Sequence, residues 1–123
     1  MEVNKQPGAS ETQALADARR HPRFRLEIDI CVYPRNCPVV RGHTVDISEA
    51  GISAILREEV PVGEVVRLTF ALPDGGVDVQ AAVRQRVAFR YGFQFLETGA
   101  VQSLITHACR DLAMRQAVTP LPR

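Results

Sequence analysis

Between residues 26 and 96 the chain is divided into short runs in which apolar and polar residues alternate, separated by turn-forming residues. In the first run, residues 26–33, every second residue is a leucine, isoleucine or valine. Because a period of two places alternate side chains on opposite faces, each run predicts a strand with one buried face. The six predicted strands are Leu26–Tyr33, Val39–Val45, Ile52–Leu56, Val65–Leu72, Val77–Phe89 and Tyr91–Leu96.

The segment 99–117 changes to the period of an α-helix, about 3.6 residues. Its apolar stripe consists of Val101, Leu104, Ile105, Ala108 and Leu112. Six short strands followed by one amphipathic helix predict a mainly β fold, a six-stranded antiparallel β-barrel with a C-terminal α-helix. The periodicity leaves open whether the helix docks on its own barrel or on that of a neighbouring molecule.

The 123 residues are expected to form one domain at 19–118, with the barrel at about 24–97 and the helix at about 99–117. Residues 1–18 are predicted to be a flexible tail, and 119–123 a short tail. No apolar run approaches the length of a membrane span, and no secretory signal pattern precedes the domain. The three cysteines have no metal-ligand spacing, so we expect a cytoplasmic protein without a metal site.

A cluster of arginines precedes the first predicted strand: Arg19, Arg20, Arg23 and Arg25. The segment 19–25 contains no acid, although the net charge of the whole chain is only +1. A guanidinium pairs with two phosphate oxygens, or with the O6 and N7 atoms of guanine. The cluster therefore indicates an anionic ligand at the barrel rim, and a solvated basic stretch paired with nearby acids is the alternative.

A second motif, Asp46-Ile47-Ser48-Glu49-Ala50-Gly51, lies in the turn predicted between the second and third strands. Asp46 can accept hydrogen bonds from N1 and N2 of guanine, and Ser48 can donate one to a phosphate or carbonyl oxygen. Gly51 allows close backbone approach or a positive φ. An ordinary turn uses the same residue types, so the motif alone leaves both interpretations open.

Together the two motifs resemble the signature of the PilZ domain family, R-x-x-x-R followed by [D/N]-x-S-x-x-G. The first half is matched by Arg19 and Arg23, with Arg20 as a frequent extra arginine. The second half is matched without substitution by Asp46, Ser48 and Gly51. The resemblance extends to the strand containing Gly92-Phe93-Gln94-Phe95 and covers roughly residues 19–115.

PilZ domains are bacterial receptors for cyclic di-GMP and have a six-stranded β-barrel. The resemblance implies that the arginines of the first motif hold phosphates and guanine edges. It also implies that the aspartate, serine and glycine of the second motif receive a guanine. No cofactor is expected besides this ligand. We expect the ligand to order the arginine-rich arm, and the signal to pass to a protein partner or to a second copy in a homodimer.

Arg84 and Arg86 stand in the fifth predicted strand, where many relatives carry an aromatic residue near the ligand. Strict alternation predicts that both share the face opposite Val83 and Val87. The hypothesis is that one of them adds a phosphate contact, and the alternative is a solvated outer face.

Enzyme activity is not expected, because none of the three histidines has a nucleophile and orienting partner nearby in the sequence. One alternative is a PilZ-like scaffold in motility or pilus assembly that binds no ligand. The presence of both motifs argues against it. Another is a barrel that binds single-stranded nucleic acid. Such binding needs aromatic side chains on which bases stack, and the chain has five phenylalanines, two tyrosines and no tryptophan, which offer few stacking platforms. No nucleic acid polymer is therefore expected as a partner.

Overall fold

The computed structural model describes residues 21–118. Within that range the strands are β1 Phe24–Arg25, β2 Asp29–Tyr33, β3 Val40–Ile47, β4 Gly51–Leu56, β5 Val65–Leu72, β6 Gly75–Val87 and β7 Arg90–Leu96. A 3₁₀ turn, Gly99–Val101, leads into the helix α1, Gln102–Val118. The predicted mainly β fold with a C-terminal helix is confirmed. The predicted tails, and with them Arg19 and Arg20, lie outside the described residues.

The sheet closes on itself. β3, β2, β5, β6, β7 and β4 lie side by side in this order, each antiparallel to its neighbours. Pairing of β4 with β3 then completes the predicted six-stranded barrel. The short β1 is an additional strand that pairs with the end of β3, through Phe24 opposite Ile47 and Arg25 opposite Asp46.

The first predicted strand, Leu26–Tyr33, is shortened to β2, and a buried threonine holds residues 26–28 between β1 and β2. The hydroxyl of Thr44 accepts a hydrogen bond from the backbone N–H of Ile28 at 2.9 Å and donates one to the carbonyl oxygen of Leu26. Because a side chain satisfies these backbone groups, residues 26–28 leave the regular ladder. Strand alternation alone does not reveal this interruption.

The barrel interior is filled by the inward faces of the strands. The largest fully buried side chains include Tyr91, Ile30, Ile47, Ile52, Leu68 and Ile105. The hydroxyl of Tyr91 accepts a hydrogen bond from the backbone N–H of Val60 at 3.0 Å, so the buried phenol keeps a polar partner. Val60 is itself only 1% exposed and belongs to the loop between β4 and β5.

The helix α1 docks on its own barrel, which answers the question that periodicity left open. Ile105, Ala108 and Cys109 are buried against the core. Burial raises the pKa of the Cys109 thiol to about 11, as expected for a cysteine that acts as a small apolar side chain. Near the end of the helix, the side-chain amide of Gln116 donates to the carbonyl oxygen of Arg25 at 2.9 Å and accepts from its N–H at 3.2 Å. The helix therefore holds β1 in place. Among the described residues, no helix is both long and apolar enough to cross a bilayer.

Candidate functional site

A shallow cleft lies on the outer face of the barrel, where β3, β4, β7 and β6 are neighbours. It has a volume of about 170 Å³ and is lined by Arg23, Asp46, Ser53, Gln85, Val87, Arg90, Tyr91 and Gly92. Pockets that enclose a small molecule usually measure about 300–1,000 Å³. The cleft can therefore receive one end or edge of a larger ligand and leave the rest exposed.

Asp46 faces this cleft because of a β-bulge in β3. Thr44 lies opposite Ala54 of β4, whereas Asp46 lies opposite Ser53, so Val45 is an extra residue without a partner of its own. Strict alternation from the buried Thr44 would direct Asp46 inward. The bulge directs it outward instead. The sequence predicted a turn over the whole motif, but Asp46 and Ile47 lie on β3 and Gly51 is the first residue of β4.

The carboxylate of Asp46 is the centre of a polar cluster. Its Oδ1 accepts hydrogen bonds from Arg23 Nη1 and from Ser53 Oγ, both at 2.8 Å. Its Oδ2 accepts one from Arg90 Nη2 at 3.2 Å. The Asp46 side chain is 17% exposed, whereas those of Arg23 and Arg90 are 44% and 54% exposed. We call these four residues the Asp46 cluster. It combines a fixed carboxylate with two accessible guanidinium groups.

Ser48 and Gly51 build the turn that follows Asp46, and neither lines the cleft. The buried hydroxyl of Ser48 accepts hydrogen bonds from the N–H groups of Ala50 and Gly51, both at 3.1 Å. Gly51 is required by close packing, because a Cβ there would lie 2.2 Å from the carbonyl oxygen of Phe93. In this conformation the two residues stabilise the turn and join it to β7.

The floor of the cleft is Gly92, which lies between Ser53 of β4 and Gln85 of β6. A Cβ at this position would lie 2.9 Å from Cγ of Gln85, so the absence of a side chain at Gly92 allows the Gln85 side chain to lie over it. Arg90 is two residues earlier on the same strand and therefore points to the same side of the sheet. The floor of the cleft is thus bordered by a guanidinium and an amide.

Gln85 reaches the cleft through a second bulge, in β6. Val83 lies opposite Phe93, but Gln85 lies opposite Gly92, so Arg84 is the extra residue. Residues after a bulge change faces relative to strict alternation. Each of the two bulges therefore brings a polar side chain to the cleft from an opposite side.

The prediction that Arg84 and Arg86 share a face is wrong, because the bulge falls at Arg84. Arg84 donates to Oε1 of Gln94 at 2.6 Å, on the outer face. The guanidinium of Arg86 lies 5.5 Å from the ring centroid of the buried Tyr91 and pairs with Glu59 at 3.0 Å. This hydrogen bond lowers the pKa of the Glu59 carboxyl. Neither arginine lines the cleft, so their positions do not support a phosphate contact.

Of the six residues in the two motifs, the structure brings Arg23 and Asp46 into the cleft. Sequence reasoning missed Ser53, Gln85 and Arg90. Ser53 carried a weak signal, since it is a polar residue on an otherwise apolar strand. No pattern marked Gln85 or Arg90, because their positions depend on a bulge and on pairing between distant strands.

The sequence of residues 17–110, well over half of the chain, matches the PilZ domain model. The chain belongs to the PilZ domain family. A comparison with curated proteins finds no match.

Several solved structures share the fold of this PilZ domain. The PilZ domain of CeSA from a cellulose-synthesising bacterium is similar with a TM-score of 0.58 and 16% identity, over 76% of this chain and 97% of that chain. The PilZ domain of YcgR from Escherichia coli, solved with c-di-GMP, gives a TM-score of 0.58 and 15% identity, over 82% and 98%. The Bacillus subtilis inhibitor of motility MotI gives 0.66 and 22%. The match covers 84% of this chain but about half, 53%, of MotI.

Proposed function

We propose that this PilZ domain is a receptor for cyclic di-GMP that binds the nucleotide at the Asp46 cluster. The observation that carries the proposal is the contact between Arg23 and Asp46, at 2.8 Å. These residues come from the two halves of the family signature, and they meet in one cleft. The complex of the YcgR PilZ domain with c-di-GMP supports the proposal by similarity of fold.

In this proposal Asp46 binds a guanine, because a carboxylate can accept hydrogen bonds from both the N1 and N2 donors. Adenine lacks this pair of adjacent donors. The guanidinium of Arg23 then exchanges its partner, from the carboxylate to a phosphate oxygen. An exposed ion pair contributes little to stability, so this exchange costs little free energy. Arg19 and Arg20 are proposed to add further phosphate and guanine contacts.

Ser48 and Gly51 are proposed to act by shaping the turn beside the bound guanine. The Ser48 hydroxyl already accepts two backbone hydrogen bonds, and Gly51 packs against the backbone of β7. A rigid turn keeps the Asp46 carboxylate at a fixed position and so reduces the entropy lost on binding.

We further propose that binding orders the arm around Arg19–Arg23 and that the change is passed to a protein partner. Arg23 is two residues from Arg25, whose backbone is held by Gln116 of α1. A ligand that pulls on Arg23 would therefore act on β1 and on the end of the helix. The partner is another protein or a second copy of this chain. The three free cysteines favour action in the cytoplasm.

The proposal is tested by titrating cyclic di-GMP into the protein by calorimetry, with Arg23→Ala and Asp46→Ala alongside. We expect binding at micromolar concentration or tighter, with loss of binding in both variants. Arg67→Ala is the matched control, because Arg67 also pairs with an aspartate, Asp78, but lies outside the cleft. Absence of heat and of any shift in melting temperature in the wild type would overturn the receptor proposal and favour a scaffold.

Ordering of the arm is tested separately by hydrogen exchange over residues 10–25, with and without cyclic di-GMP. We expect slower exchange when the nucleotide is bound. Equal exchange in both states, with binding intact, would remove the arm from the mechanism while leaving the receptor proposal in place. Size-exclusion chromatography in the same two states shows whether the nucleotide produces a dimer.

A further inference from the structure

Arg90 is the first residue of β7 and lies outside both signature motifs. It lines the cleft together with Asp46 and Gly92, and its side chain is 54% exposed. Arg90 follows Asp46 by 44 residues in the sequence, whereas Arg23 precedes Asp46. The closed barrel makes the contact between Arg90 and Asp46 possible, because β4 lies between β3 and β7 and carries no large side chain at Ser53.

The two oxygens of Asp46 are not equivalent. Within residues 21–118, Oδ1 accepts two hydrogen bonds, from Arg23 and Ser53, and Oδ2 accepts one, from Arg90. A carboxylate oxygen can accept about two hydrogen bonds. A donor from a ligand therefore has most room at Oδ2, on the side where Arg90 stands.

Arg90 also differs from the other arginines of the β6–β7 hairpin. Arg86 is held over aromatic rings and by Glu59, and Arg84 is bonded to Gln94. Arg90 has a contact of 3.2 Å to a carboxylate and lines the cleft together with Gly92. Exchanging this one exposed contact for a ligand contact requires no rearrangement of the barrel.

Resting on the proposed function, we propose that Arg90 is a further specificity residue that reads the O6 and N7 edge of the guanine bound by Asp46. If N1–H of the guanine donates to Oδ2, the neighbouring O6 atom of the base is directed toward Arg90. The guanidinium then moves from the carboxylate to O6 and N7, which are acceptors in guanine. Adenine presents an amino group in place of O6, which cannot accept from Arg90.

The test compares two ligands in the full-length chain: cyclic di-GMP and the same cyclic dinucleotide with 6-thioguanine bases, in which sulfur replaces O6. Sulfur is a weak acceptor, so we expect the wild type to bind the thio analogue about tenfold more weakly. We expect Arg90→Ala to weaken binding of cyclic di-GMP by about tenfold to a hundredfold. In this variant the difference between the two ligands should become smaller, because one group that contacts O6 is gone.

Arg67→Ala is again the control, since it removes an exposed arginine from an aspartate without changing the cleft, and both affinities should be unchanged. If Arg90 only positions Asp46, Arg90→Ala would lower the affinities for both ligands by the same factor and preserve the ratio of the two affinities. That result would overturn the inference. A wild type that binds both ligands equally would also overturn it. Wild-type protein that binds neither ligand would instead overturn the proposed function, and this inference with it. Equal melting temperatures of wild type and Arg90→Ala would show that the fold is intact.

Discussion

The two hairpins that contain β6 are built differently. The β5–β6 hairpin has eight consecutive residue pairs, from Val65 opposite Ala82 to Leu72 opposite Gly75, without a shift in register. The β6–β7 hairpin is interrupted at Arg84. Its two-residue turn has Ala88 at φ 55, a backbone conformation that only glycine adopts without strain. The regular hairpin supplies buried residues to the core, whereas the irregular one supplies most of the cleft.

The ion pairs near these two hairpins also differ, in the number of strands that they join. Arg67 and Asp78 form an exposed pair between neighbouring strands at 2.8 Å, which joins only β5 and β6. The Asp46 cluster joins β3, β4 and β7 to Arg23, the residue that precedes β1. Local departures from regular pairing therefore mark the part of the barrel where side chains from several strands converge. Bulges are frequent next to binding sites for this reason.

The largest effect is expected on stability, at Gly51, where β4 packs closely against β7. In Gly51→Ala, the new Cβ would lie 2.2 Å from a backbone oxygen of β7, so strands must move apart. We expect a loss of about 3 kcal/mol in the free energy of unfolding, measured by urea denaturation. Gly76→Ala on the regular side is the control, because nothing lies within 4 Å of its Cβ. Equal losses in the two variants would contradict the contrast between the two sides.

A second expected effect is on binding. Gly92→Val places a side chain on the floor of the cleft, where the exposed Gln85 side chain has to move away. We expect affinity for cyclic di-GMP to fall by at least about tenfold, with a smaller loss of stability than in Gly51→Ala. Calorimetry and thermal denaturation measure the two quantities. Unchanged affinity would show that the ligand does not enter this cleft.

A third prediction concerns the strained turn. Ala88→Gly relieves the cost of a positive φ, and we expect it to stabilise the protein by about 0.5 kcal/mol. The control is Ala71→Gly, in the regular strand β5, where the added backbone freedom should destabilise by about the same amount. Both values come from thermal or urea denaturation. Destabilisation by Ala88→Gly would mean that the turn is not strained.

The contribution of the Arg67–Asp78 pair to stability should depend weakly on pH. The hydrogen bond from Arg67 lowers the pKa of the Asp78 carboxyl, so its contribution to stability is present above the ordinary aspartate pKa. That contribution is lost as the pH falls through the lowered pKa. We expect the difference in melting temperature between wild type and Asp78→Asn to shrink from pH 7 to pH 2. A difference that grows toward acid would contradict this sign, and binding of cyclic di-GMP at pH 7 should be the same in both.

The smallest effects are expected from Arg84→Ala and Arg86→Ala, because neither side chain lines the cleft. We expect less than about a twofold change in affinity for cyclic di-GMP, with the same salt dependence as the wild type. Arg86→Ala should lower the melting temperature, since Arg86 packs over Tyr91 and Phe89. A loss of affinity with weaker salt dependence in either variant would restore the hypothesis that one of them contacts a phosphate.

The fold could be predicted from the sequence because burial imposes its period on the chain. Alternation predicted six strands, and the spacing of Leu104, Ile105 and Ala108 predicted the face of the helix that docks. The turn between β5 and β6 was visible as well, since Pro73 and Asp74 favour it. The end of the fifth predicted strand, Phe89, was two residues late, because neither Ala88 nor Phe89 is a typical turn residue and β6 ends at Val87.

The sequence by itself also determined which chemical groups are present, the arginines before the first strand and the aspartate, serine and glycine of the second motif. Only the tertiary structure decided which of them meet. The bulge at Val45 turns Asp46 outward, and the closed barrel brings Arg90 to its second oxygen. The physical reason is that the alternation of apolar residues along a strand reflects the burial of many side chains. A bulge changes the direction of a side chain locally and hardly alters how much apolar surface is buried. Side chains brought together by barrel closure therefore leave no mark in the local sequence.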